Sequence, residues 1–120
     1  MSTFEYNTTI ENNIMQIDLS GRIIEKDQTD ALIAEVENGL EKGAIQVVLN
    51  LEQLEYINSS GLNSFIAILT KTRNKGGEVV IANVPQKINQ LFLISKLSTV
   101  FTITETLDEA KELLQTNKTI

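Results

Sequence analysis

The chain has no cysteine and no histidine, and its only proline is Pro85. Without histidine or cysteine there is no thiol nucleophile, no Ser-His or Cys-His dyad, no redox pair and no common zinc site. A disulfide framework is excluded as well, which suits a reducing compartment. The six glycines are scattered apart from the pair Gly76-Gly77. They form neither a Gly-x-x-x-x-Gly-Lys phosphate loop nor a Gly-x-Gly-x-x-Gly turn. No apolar run approaches the roughly 18 residues needed to cross a bilayer. The stretch MSTFEYNTTIENN shows neither the basic nor the apolar region of a secretory leader, so a soluble, cytoplasmic protein is expected. Positive charge is also scarce: ten Lys and Arg face sixteen Asp and Glu, a formal net charge of −6. That balance argues against nucleic acid, whose binding depends on phosphate neutralisation, and against anionic membrane surfaces. It favours a protein partner with a basic face. Nothing in the residues calls for a cofactor.

What is present is ordinary globular material, 42% hydrophobic and 22% charged over 120 residues, enough to bury one core. No linker or repeat divides it. One domain over 1–120 is expected, with its core at about 4–115 and a frayed tail at 116–120.

A first strand is expected over Phe4–Ile10, then a turn at Glu11-Asn12-Asn13. Met15, Ile17 and Leu19 alternate with polar residues as in a half-buried strand, which ends at Gly21. The period turns helical from Asp27 to Lys42, with Ile33, Val36 and Leu40 on one face and Leu32 beside them. Asp27 or Thr29 suits its start and Gly43 its end. Ile45–Leu51 reads as a buried strand, followed by a loop, LEQLEYINSSG. A second helix carries Leu62, Phe65, Ile66 and Leu69, and a strand follows at Val79–Ala82. Pro85 opens a third helix in its first turn, with Ile88, Leu91 and Phe92 inward. A last strand falls at Val100–Thr104, and Thr106 and Glu109 form a capping box before a terminal helix carrying Leu107, Ala110 and Leu114. The order predicts an α/β fold: a mixed sheet of about four to five strands, parallel in its later part, with about four helices packed on it.

In such sheets, partners and ligands meet the loops at the carboxyl ends of the strands. The loop ending in Asn58-Ser59-Ser60-Gly61-Leu62 runs straight into a helix. Free N–H groups and the positive dipole end make that place receptive to an anion. A phosphate on Ser59, carrying about −1.5 to −2 charge, would be tolerated there and would repel an acidic partner surface. Asn and Ser are equally the ordinary N-cap residues of any helix, so on spacing alone Ser59 also fits simple capping. Glu52 and Glu55 beside the loop read as a solvated acidic rim rather than an acid–base pair. Leu91-Phe92-Leu93-Ile94 is apolar on more than one helical side. Leu93 or Ile94 therefore faces either a second layer or a partner, and Ile23 and Ile24 lie toward the same end.

Leu19-Ser20-Gly21-Arg22, Leu49-Asn50-Leu51, Asn58-Ser59-Ser60-Gly61-Leu62, Gly76-Gly77-Glu78-Val79-Val80-Ile81 and Leu91-Phe92 together resemble the STAS domain family. More narrowly, they resemble its stand-alone bacterial anti-sigma factor antagonists. The resemblance implies partner switching: the unphosphorylated antagonist binds an anti-sigma factor with serine kinase activity and frees the sigma factor. Phosphorylation of the first serine, here Ser59, ends that binding, and a serine phosphatase acting on the phosphorylated form restores it. Asn58, Ser60 and Gly61 then shape the switch, with Ile24, Glu25 and Asp27 in the neighbouring loop. Two positions depart from the usual pattern: Asn58 stands where these antagonists carry Asp, and Ile24 where an acidic residue is expected. Both suit an alternative, a constitutive binding module or a scaffold or transport-complex subunit in which Ser59 only caps its helix. A hydrolase using Ser59 as nucleophile lacks a base.

Overall fold

Alternation of period two through Met15, Ile17 and Leu19 does build a strand, and the change to helical spacing after it does build a helix. In the computed structural model, which describes residues 4–118, the elements are β1 (Phe4–Glu11), β2 (Ile14–Ile23), α1 (Lys26–Glu41), β3 (Gln46–Ile57) and α2 (Ser59–Asn74). They continue as β4 (Glu78–Ala82), α3 (Gln86–Ile94), a 3₁₀ turn (Leu97–Thr99), β5 (Thr102–Thr104) and α4 (Leu107–Lys118). The strands form one sheet in sequence order, β1-β2-β3-β4-β5. β1 runs antiparallel to β2, and every later neighbour is parallel. Asn12 and Asn13, both at positive φ, close the hairpin, a conformation Asn tolerates better than most residues.

The two faces of the sheet carry different covers. Met15, Ile17, Leu19, Val47, Leu49, Leu51, Val79 and Ile81 turn one way and pack with Leu32, Val36 and Leu40 of α1, Phe65 and Ile68 of α2, and Ile88 and Phe92 of α3. Phe92 ties this layer together, its ring 6.4 Å from that of Phe65 and 6.3 Å from that of Phe101. Ile14, Val48, Val80 and Ala82 turn the other way and meet Ala110 and Leu114 of α4, with Leu107 alongside. Farther along the strands that second face turns polar. Asp18 Oδ1 accepts from Gln16 Nε2 at 2.9 Å and from Asn50 Nδ2 at 2.8 Å, and Asn50 Oδ1 accepts from Asn83 Nδ2 at 3.0 Å.

Several boundaries differ from the sequence expectation. β2 does not stop at Gly21, and β3 does not give way to a loop at Leu51. The two stay paired through Ile23 and Ile57, with register shifts between Asp18 and Ser20 and between Gly21 and Arg22. Ile23 is therefore a fully buried strand residue and not a loop neighbour of Ile24. α1 begins at Lys26 with Glu25 as N-cap, in place of Asp27 or Thr29. Gln28 explains the shift, since its side chain reaches back to the N–H of Glu25. Pro85 is the N-cap of α3, one position before its first turn. The 3₁₀ turn, anchored by buried Leu97 and Phe101, shortens β5 to Thr102–Thr104 and leaves Val100 outside it. The tail expected at 116–120 is helical as far as Lys118, and its last two positions lie outside the described residues.

Candidate functional site

The extra length of β2 and β3 carries the chain to one corner of the molecule. Ile57, the last residue of β3, is buried, and Asn58 follows it in an extended conformation as the N-cap of α2. The two ends of the Asn58 side chain do different work. Its Oδ1 accepts from the N–H of Gly61 at 3.1 Å, satisfying one of the donors that a helix start leaves open. Its Nδ2 donates to the carbonyl of Ile24 at 2.6 Å, across 34 positions of sequence. One side chain thus fastens the head of α2 to the loop between β2 and α1.

That loop is held from the other side by Gln28. Its Oε1 accepts from the N–H groups of Ile24 and Glu25, both at 2.8 Å, and its Nε2 donates to the carbonyl of Arg22 at 3.3 Å. Polar backbone is captured on both sides, and the Ile24 side chain is left 47% exposed beside the start of α2. Glu25 is exposed as well. So is Asp27, in the first turn of α1, which takes no part in this network among the described residues. Upstream, the Arg22 guanidinium lies 5.0 Å over the ring of Tyr56, a cation–π contact at the ends of β2 and β3.

Ser59 is the first residue of α2 and is exposed. Ser60 is half-buried and faces a groove between α1 and α2 lined by Lys26, Thr29, Asp30 and Asn63. Gly61 is buried, and here a side chain has no room. A Cβ would collide with Ile57 and come within 2.9 Å of Ile23 Cγ2, so glycine sets how closely α2 approaches the sheet. The structure therefore brings Ile24, Glu25, Asn58, Ser59, Ser60 and Gly61 to one corner, with Asp27 close by as the second residue of α1. Leu93 and Ile94 are on α3, 58% and 79% exposed. Sequence reasoning missed Gln28, Arg22 and Tyr56. The spacing Glu25-x-x-Gln28 was a visible capping-box signal, but nothing local joins Arg22 to Tyr56.

The arrangement offers an exposed hydroxyl at a helix N-terminus, and among the described residues no buried acid or base lies beside it.

Residues 5–110 match the family model described as STAS domain. BtrV of Bordetella bronchiseptica, named as an anti-sigma factor antagonist, is 27% identical over 94 residues, 78% of this chain and 81% of its own length. Among solved structures, the anti-sigma factor antagonist SpoIIAA in its unphosphorylated form superposes with a TM-score of 0.80 at 18% identity, covering 92% of this chain and 96% of that one. The Bacillus cell fate determinant SpoIIAA in its phosphorylated form gives 0.71 at 18% identity, covering 90% and 97%.

Proposed function

The chain belongs to the STAS domain family, and on that footing we propose that it is a cytoplasmic anti-sigma factor antagonist that works by partner switching, as a single domain over 1–120 without catalytic activity of its own. In this reading the unphosphorylated chain binds an anti-sigma factor with serine kinase activity through the corner formed by Ile24, Glu25, Asp27 and Asn58–Gly61, and so releases the sigma factor. The kinase transfers the γ-phosphoryl group of ATP to Ser59 Oγ. The hydroxyl proton leaves to a base on the kinase, ADP departs, and binding ends. A serine phosphatase hydrolyses the phosphoserine and restores the binding form.

The observation that carries this reading is the placement of Ser59: exposed, at the first position of α2, beside a loop fastened in place. A phosphate there is favoured by the helix dipole, so the fold tolerates it. For a partner, the same group adds about −1.5 to −2 charge and a bulky anion to a rim that already holds Glu25 and Asp27. The test is incubation with the cognate kinase and ATP, followed by mapping of the modified peptide by mass spectrometry. Phosphate is expected on Ser59 and nowhere else. Ser59→Ala should retain binding to the anti-sigma factor, and Ser59→Asp should weaken it at least about tenfold, or about 1.4 kcal/mol.

A second reading has its own support in the Asn58–Ile24 bond. That bond fastens the corner, which presents an apolar side chain where charge was expected. A constitutive STAS module, such as a scaffold or transport-complex subunit, would use it that way. It predicts that Ser59→Asp leaves partner binding intact.

A further inference from the structure

The two edges of the sheet differ sharply. β5 is three residues long, too short to template another strand, whereas β1 offers eight residues paired to β2 with no register shift from Phe4 to Glu11. Edge strands are usually guarded by Lys, Pro, a bulge or a very short length. FEYNTTIE has no Lys and no Pro, its pairing has no bulge, and β-favouring Tyr, Thr, Thr and Ile lie at its centre. Phe4, Tyr6, Thr8 and Ile10 pair with Gly21, Leu19, Ile17 and Met15, so they share the face covered by α1–α3. Phe4 is buried on that face, yet Ile10 is 49% exposed and the buried hydroxyl of Thr8 has no hydrogen-bond partner among the described residues.

Charge and parity select what fits this edge. If a second copy pairs with β1 about a two-fold axis normal to the sheet, opposed residues must lie on the same face, so the axis passes through a residue. Centred on Thr8, the pairing sets Glu5 against Glu11 of the second copy twice over. Centred on Tyr6, it leaves Ile10 outside. Centred on Asn7, it sets Phe4 opposite Ile10, Glu5 opposite Thr9 and Tyr6 opposite Thr8, with no carboxylate facing another.

We infer that β1 is a homotypic docking edge, on which two copies join antiparallel, centred on Asn7, into one continuous sheet. The exposed face of Ile10 then meets Phe4 of its mate, and the outward N–H and C=O groups of both strands are satisfied. A single strand pair buries less than the roughly 800 Å² per partner of a standard interface, so the dimer is weak and concentration-dependent. Each copy carries −6, so salt strengthens the association by screening.

Sedimentation equilibrium of the full chain, from low micromolar to about 1 mM at low and high salt, tests this. The mass is expected to rise from 13.4 kDa toward twice that value, more fully at high salt. Asn7→Lys places two ammonium groups on the axis and should hold the chain at monomer mass with its circular dichroism unchanged. Should that variant fold poorly, Ile10→Lys applies the same test at a second exposed position. Ile94→Asp, at the most exposed large apolar side chain among the described residues, should leave the dimer intact. Alternate β1 amides should exchange more slowly as concentration rises. A mass fixed at one chain throughout overturns the inference. So does a dimer that survives both lysine variants, or one abolished by Ile94→Asp.

Discussion

Replacing Asn58 by Asp keeps one of its two bonds and loses the other. A carboxylate still accepts from the Gly61 N–H, and its charge suits a helix start by about 0.3–1 kcal/mol. It has no N–H for the Ile24 carbonyl, and it sets an oxygen against that oxygen where 2.6 Å now separates donor from acceptor. Losing such a bond at an exposed site, where water can reach the acceptor, costs about 0.5–1.5 kcal/mol. Asn58→Asp is therefore expected to be less stable by about 0.5 kcal/mol in urea denaturation, with faster amide exchange across residues 22–25. Tyr6 sets an alkaline limit. Burial first, and the nearby Glu35 carboxylate second, raise its phenol above the ordinary value of 10.0. The folded chain thus holds that proton more tightly than the unfolded one. The stability this contributes is intact below pH 10 and lost as pH climbs through the raised value. Tyr6→Phe should flatten that alkaline decline in a series of thermal melts. At this scale the sequence was legible where the signal is local. Asn58, Ser59 and Gly61 announce a helix start through cap chemistry alone. The partner of Asn58 was not legible, because no spacing rule reaches across 34 positions to a backbone carbonyl.

The same division runs through the elements. The helices over 26–41, 59–74 and 107–118 showed themselves by period and by capping residues, including Thr106, whose Oγ1 accepts from the Glu109 N–H at 3.2 Å. The second half of β3 did not. After Leu51 its buried residues are Leu54 and Ile57, a spacing of three, because the register against β2 shifts twice there. A bulge breaks the period of two that identifies a strand, so the stretch imitates a loop. Among the described residues α4 is the only helix packed on the second face, where Ala110 and Leu114 close over Ile14, Val48 and Val80. Leu114→Ala should cost about 2–5 kcal/mol in chemical denaturation. Substitution of the exposed neighbour Gln115 by Ala should stay within about 0.5 kcal/mol of the parent protein.

For the molecule as a whole, charge is the property most plainly visible in the sequence and most consequential for encounters. A surface at −6 draws in a basic partner, and that attraction weakens as salt rises. Stopped-flow association with the anti-sigma factor should slow with ionic strength, while dissociation changes little. Self-association along β1 should respond in the opposite sense, which separates the two events in a single salt series. The stack of Arg22 on Tyr56 adds an optical consequence. The chain has no Trp and only two Tyr, Tyr6 and Tyr56. Tyr56 is 42% exposed, three residues before Ser59, under a guanidinium that a docking partner or a new phosphate would disturb. Excited without interference from indole, the Tyr56 ring is a built-in fluorophore for this corner, and a Tyr6→Phe chain would leave it the sole emitter.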